Sequence, residues 1–214
     1  MAGWALAQSM ILWQQGLLLL GILNFVESSS TSTLLQRCSY KNSFRLTRST
    51  RTRVQQLLWK YKEQQLGDVE FDDRGWQLSD LPSLSTDFSG WLQLADWDRL
   101  HAAFWDMQSY WIMLERKRTQ LEREVKGQAA TLPQSIKHIQ LDLRDLMSQV
   151  SSQMRFMRNS WIKPTPPALH LTSQGSPKTV WDSRVEGFII LRDLNLYLTK
   201  LARDFLILAL KTQP

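Results

Sequence analysis

The chain has 214 residues, 43% of them hydrophobic and 21% charged, with a formal net charge of +6. That is apolar mass for one ordinary core rather than two domains. Nine glycines and seven prolines are few, and the abundance of Leu, Gln, Arg and Glu favours helices over strands.

Residues 1–28 differ from the rest. No Lys or Arg precedes Arg37, and an apolar run extends from Met10 to Val26, interrupted by Gln14 and Gln15. Its uninterrupted part is about 11 residues, short of the roughly 20 that span a bilayer and close to a signal h-region. Val26-Glu27-Ser28 supplies residues a signal peptidase accepts. A cleaved signal peptide over 1–28 and a secreted, extracellular product are expected, with a retained membrane anchor as the alternative reading. Ser28 to Thr33 then opens a flexible segment over 29–43. That segment holds the single cysteine, Cys38, ahead of the first helix, where it is either a free thiol or paired between chains. No intramolecular disulfide can form, so stability must come from packing.

Four periodic segments follow. A weak stripe of Phe44, Val54, Leu57, Leu58 and Tyr61 predicts a first helix ending near Gly67. A stronger one, Trp97, Leu100, Phe104, Met107, Trp111, Leu114, Leu121 and Val125, alternates three and four residues and breaks only at Arg118. Asp96 is placed to cap this second helix and Gly127 to end it. The third reads Ile136, Ile139, Leu143, Leu146, Val150, Met154 and Met157, opened by Thr131, Pro133 and Gln134. The fourth, from Val185 through Phe188, Leu191, Leu194, Leu198, Leu201 and Phe205 to Leu208, is the richest in extra apolar residues.

The connections are unequal. Gly127 to Thr131 is short and makes its neighbours antiparallel. Gly67 to Ala95 and Asn159 to Lys178 are long, the second carrying Pro164, Pro166, Pro167 and Pro177. A helix of this length is about 40–45 Å long at 1.5 Å per residue. Twenty extended residues reach about 66 Å, so either long connection can cross the full height. The pattern predicts an all-α, long-chain four-helix bundle over 44–211, up-up-down-down with two long crossover loops.

Chemistry is sparse. His101, His138 and His170 lack metal-ligand spacing, and no nucleophile motif or phosphate loop is present. No enzyme activity, metal or cofactor is expected. Glu115, Glu122 and Glu124 interleave with Arg116, Lys117, Arg118 and Arg123, which reads as a solvated face and not as a nucleic-acid surface. The positive charge fits either plain solvation or retention by anionic glycans. Tryptophan is the informative excess at ten residues. Trp59, Trp97, Trp105 and Trp111 are expected in the core, and Trp76 and Trp91 are placed to pin the first long connection. Trp181, in the first turn of the last helix with Arg184 one turn on, is either a binding hot spot or a seal for the end of the core.

The stretch Val180 to Leu194, with Gly187, Leu191 and the Asp193-Leu194 pair, resembles the start of the last helix in the interleukin-6 superfamily. The likeness is to its ciliary neurotrophic factor/cardiotrophin-like/leukaemia inhibitory factor branch. Tyr61 to Gln65 and Ser85-Thr86-Asp87 are similar to that branch too, and the signal and Ser-rich start are similar to its fish-type members. The branch engages a leukaemia-inhibitory-factor-type receptor through a Phe-x-x-Lys pair, which falls here on Trp181 and Arg184. Neither residue is identical, but an aromatic beside a cation is kept, and Trp at this position is also similar to interleukin-6 itself. The resemblance implies a monomeric, secreted cytokine that bridges gp130-type and leukaemia-inhibitory-factor-receptor-type class I chains to trigger JAK-STAT signalling. Arg48, Arg51, Gln140 and Arg144 would meet the gp130-type chain from the outer sides of the first and third helices. The competing reading is a secreted amphipathic-helix protein that binds lipid.

Overall fold

The computed structural model describes residues 33–73, 75–83, 88–124, 131–158, 162 and 179–212. The expectations for residues 1–28, Ser85 to Asp87, Val125, Gly127, His170 and the Pro-rich connection lie outside them. The described residues are helical and contain no strand: α1 over 33–61, α2 Phe88–Gln93, α3 Asp96–Glu124, α4 Thr131–Met157 and α5 Val180–Lys211. No described helix is long and apolar enough to cross a membrane.

α1 begins at residue 33, so most of the stretch expected to be flexible forms its first three turns, with Cys38 exposed inside the helix rather than ahead of it. Hydroxyls and amides hold these turns. Ser43 and Thr47 are fully buried; Ser43 Oγ donates to Gln149 Oε1 at 2.7 Å. Gln153 Nε2 donates to both Ser39 Oγ and Ser43 Oγ at 2.9 Å. Further along, Thr50 Oγ1 donates to Asp142 Oδ2 at 3.3 Å. Early α1 therefore meets late α4. α1 ends in one π-helical turn, Lys62–Leu66, and stops at Gly67, whose φ of 71° is the left-handed conformation glycine adopts without penalty.

The core is one cluster drawn from all four long helices, including Val54, Leu57, Phe104, Met107, Ile136, Leu143, Val150, Phe188, Leu194 and Phe205. The predicted stripes of α3, α4 and α5 supply most of it. The tryptophan assignments need correction. Trp97 and Trp111 pack only partly buried against the core, whereas Trp59 and Trp105 are exposed. Trp105 instead donates through Nε1 to His101 Nε2 at 3.1 Å, and His101 stacks on Trp97 with centroids 4.8 Å apart.

Two features bind the first long connection to the helices. Arg192 on α5 donates to the carbonyls of Asp73 and of Trp76, the latter at 2.9 Å, and pairs with Asp193 at 2.8 Å. The other is Trp91 on α2, which behaves as the pin expected of it. Its Nε1 donates to Asp204 Oδ1 at 2.8 Å, while Arg99 donates to the same oxygen and, at 2.6 Å, to the Trp91 carbonyl. Arg99 is 3% exposed, so the Arg99–Asp204 pair sits in the interior between α3 and α5. Burial raises the Asp204 carboxyl above the usual range even with these donors in place. Removing one partner of such a pair strands the other charge, at a cost of about 3–5 kcal/mol, whereas replacing both by apolar groups is far milder. Arg99→Ala is expected to lower the unfolding free energy by that amount, and Arg99→Met with Asp204→Leu to recover most of it in denaturant titrations.

Two turns along α3, burial pushes the Asp106 carboxyl up from 3.8 to about 6; Lys200 opposes the shift and Asp204 adds to it. A carboxyl whose folded pKa exceeds its unfolded value binds more protons folded than unfolded between the two. Its contribution is most favourable below about pH 4 and declines as the pH rises through about 6. Asp106→Asn is expected to be more stable than the parent at pH 7 and to lose that advantage by pH 4. A difference unchanged across that window would contradict the assignment.

Candidate functional site

The end of α5 that carries Trp181 is built by α1, α3 and the first connection together. Thr179 caps α5: its Oγ1 accepts from the Asp182 amide at 3.0 Å, and Asp182 Oδ2 accepts from the Thr179 amide at 3.1 Å. This capping box fixes where the helix starts, and so where the next residues face.

Beneath it lies Lys117 of α3, 3% exposed. Its ammonium donates to the Ser183 carbonyl at 2.8 Å, Ser183 Oγ at 3.1 Å and Gln120 Oε1 at 2.8 Å, and pairs with Glu186 Oε2 at 2.7 Å. Burial lowers its pKa from the usual lysine value, with Glu186 working against that shift. Isolated, such a charge would be costly to bury. Here its donors have acceptors on the first two turns of α5, which locks those turns to α3.

From the other side comes Tyr61, at the end of α1. Its hydroxyl donates to the Arg184 carbonyl at 3.1 Å, and burial raises its pKa well above the ordinary phenol value. The ring lies so close to α5 that only glycine fits opposite it. A Cβ on Gly187 would lie against Tyr61 Oη, 2.6 Å from Tyr61 Cζ and 3.1 Å from Lys117 Cδ.

On this base Trp181 stands 50% exposed with Val180 beside it at 67%. Phe71 of the first connection meets Trp181 edge-on at 6.1 Å and the buried Phe188 edge-on at 5.0 Å. An aromatic path thus runs from the core to the surface, and Trp181 is half seal and half free face. Arg184, one turn on, is exposed. The pair is an aromatic surface with an adjacent cation on a helix end held from three sides. Such an arrangement can dock a protein surface.

The other four predicted residues do not gather. Arg48 is exposed, its guanidinium 5.7 Å from the Phe44 ring on its own helix. Arg51 donates to Asn195 Oδ1 of α5 at 3.2 Å. Arg144 is exposed and pairs at 3.4 Å with its neighbour Asp145. Gln140 is 4% exposed and belongs to the interior: its Nε2 donates to Glu115 Oε2 at 2.9 Å and to the Trp111 carbonyl at 3.3 Å. In this stretch of α4 it is Asp142 that meets α1, bonding Thr50 and Arg53. Gln140 and Arg144, four apart, lie together on the side toward α3, so an α1–α4 surface through all four residues does not form.

Sequence reading missed Lys117, which sits in a charged run. Its position was readable from spacing, because Leu114, Lys117 and Leu121 continue the apolar alternation that seemed to fail at Arg118. Gly187→Ala is expected to cost about 1–3 kcal/mol in unfolding free energy, since Tyr61 must move for the added methyl. A variant as stable as the parent would show that the two helices are free to separate. No protein-family model matches the chain, and no curated protein matches it in sequence.

Proposed function

We propose that the chain is a secreted, non-enzymatic, long-chain four-helix bundle that signals by holding two class I cytokine receptor chains together. The helix pairings support its up-up-down-down course. Residues at the two ends of α1 meet α4 and α5 in opposite order, as Ser39 with Gln153 and Tyr61 with Arg184. Those of α3 meet α4 and α5 likewise, as Glu115 with Gln140, Arg99 with Asp204 and Lys117 with Ser183. On this reading α1 and α3 point one way and α4 and α5 the other.

The observation that carries the reading is the half-exposed Trp181 with exposed Arg184 on an end fixed by the Lys117 network. Trp and Arg are the residues that most often dominate interface energy, and a preorganised anchor avoids an ordering cost on binding. This end would engage a leukaemia-inhibitory-factor-receptor-type chain. A gp130-type chain would take a flank of the bundle; of the candidates for it, Arg48 on α1 and Arg144 on α4 are exposed but lie on different sides. A rigid body joining the two sites turns binding energy into receptor proximity at the membrane and so into JAK-STAT signalling. A lipid-binding protein that opens its helices on a bilayer would gain little from a buried, fully bonded Lys117.

Trp181→Ala with Arg184→Ala is expected to leave helicity and unfolding midpoint near those of the parent. The same variant should reduce receptor-driven phosphorylation in responsive cells by at least about 100-fold, since each truncated hot-spot residue costs 2 kcal/mol or more. A folded double variant that signals at parental strength contradicts the site.

A further inference from the structure

The charge on α1 is segregated to a degree that solvation alone does not require. From residue 33 to 61 the helix contains no Asp or Glu, yet it carries Arg37, Lys41, Arg45 and Arg48 at spacings of four, four and three. That spacing keeps all four on one arc of the helix, a row about 16 Å long at 1.5 Å rise per residue. Lys41, Arg45 and Arg48 are exposed and Arg37 is half-buried. No ion pair to any of the four is found among the described residues.

The neighbouring helix does not supply the missing acid. Arg51 and Asn195 place α5 alongside α1, and α5 has four acidic residues, none of them exposed. Asp182 caps its helix, Glu186 pairs with Lys117, Asp193 with Arg192 and Asp204 with Arg99. By contrast α3 matches its surface cations locally, Arg118 bonding both Glu115 and Glu122. On α4, Asp142 meets α1 but is taken by Arg53 and Thr50, so among the described residues the row from Arg37 to Arg48 keeps its charge without an ion-pair partner.

We propose that this row on α1 binds a linear sulfated polysaccharide of the kind displayed at cell surfaces. The match is one of shape as well as sign. A single straight line of cations suits a chain-like polyanion lying along the helix. The exposed side chains beside it, Asn42, Ser49 and Thr52, are small hydrogen-bonding groups suited to sugar hydroxyls. An anionic bilayer would call for insertable apolar residues among the cations; between Arg37 and Arg48 none is exposed, and the exposed Leu34 and Leu35 precede the row. Single-stranded nucleic acid is usually held by aromatic stacking platforms, and no aromatic residue is exposed between Arg37 and Arg48. The ligand's location rests on the proposed export of the chain, but the binding itself does not rest on the receptor reading.

The test uses the purified full chain and heparin as the probe, with affinity measured by calorimetry across a sodium chloride series. Binding at 0.15 M salt is expected, weakening steeply as salt rises. Lys41→Gln with Arg45→Gln should weaken it about tenfold and reduce the salt slope, since two ionic contacts are lost. Lys137→Gln with Arg155→Gln, which removes two exposed charges from α4, should leave it unchanged. Trp181→Ala with Arg184→Ala should bind heparin as the parent does, which separates this surface from the receptor site. Equal loss in the α4 variant, or none in the α1 variant, overturns the proposal. So does tighter binding to a single-stranded oligonucleotide or to phosphatidylserine vesicles than to heparin.

Discussion

A buried ammonium organises the end of this molecule on which its proposed activity depends. Lys117 lies in the apolar seam between α3 and α5, and its cost is offset only because Ser183, Gln120 and Glu186 surround it with acceptors. Those acceptors are positional demands. Ser183 and Glu186 reach the ammonium only if α5 starts where Thr179 caps it, and only if its first turns lie at one rotation about their axis. Tyr61 imposes a second demand from α1, because its hydroxyl seeks the Arg184 carbonyl and its ring leaves room for nothing larger than glycine at 187. Trp181 and Arg184 are surface residues whose directions are set by interior chemistry.

The far end is held differently. There the Arg99–Asp204 pair and Trp91 tie the first connection to α3 and α5, and Arg158 lies over the Trp97 ring at 4.5 Å. Between the ends, contact is mostly apolar, except along α1 and α4. That seam is a ladder of hydroxyls and amides, Ser39, Ser43 and Thr50 against Gln149, Gln153 and Asp142. Each bond is modest in net energy, but each is directional, so the ladder fixes the register of α1 more firmly than leucines would.

That ladder also explains what could and could not be read in the sequence. α3, α4 and α5 pack through apolar side chains at three- and four-residue spacing, and their stripes were plain. The first three turns of α1 pack through Ser and Thr, residues that in a linear reading signal a flexible segment, so the helix seemed to begin eleven residues late. Polarity misled again at Gln140, which is polar because its partner Glu115 is, not because it faces water. Trp59 and Trp105 erred the other way: they flank the stripes without joining the core. The Trp181–Arg184 pair was legible because its spacing is local. The Lys117 network under it was not, because it joins residues 66 positions apart.

The proposed signalling requires two separate receptor contacts on one rigid body. Mass determination in solution tests it most directly. The protein is mixed with gp130-type and leukaemia-inhibitory-factor-receptor-type ectodomains, singly and together, and resolved by size exclusion with light scattering. A ternary species holding one copy of this chain and one of each receptor is expected. Failure of either ectodomain to bind, or two that compete for one place and never co-occupy the chain, would contradict it.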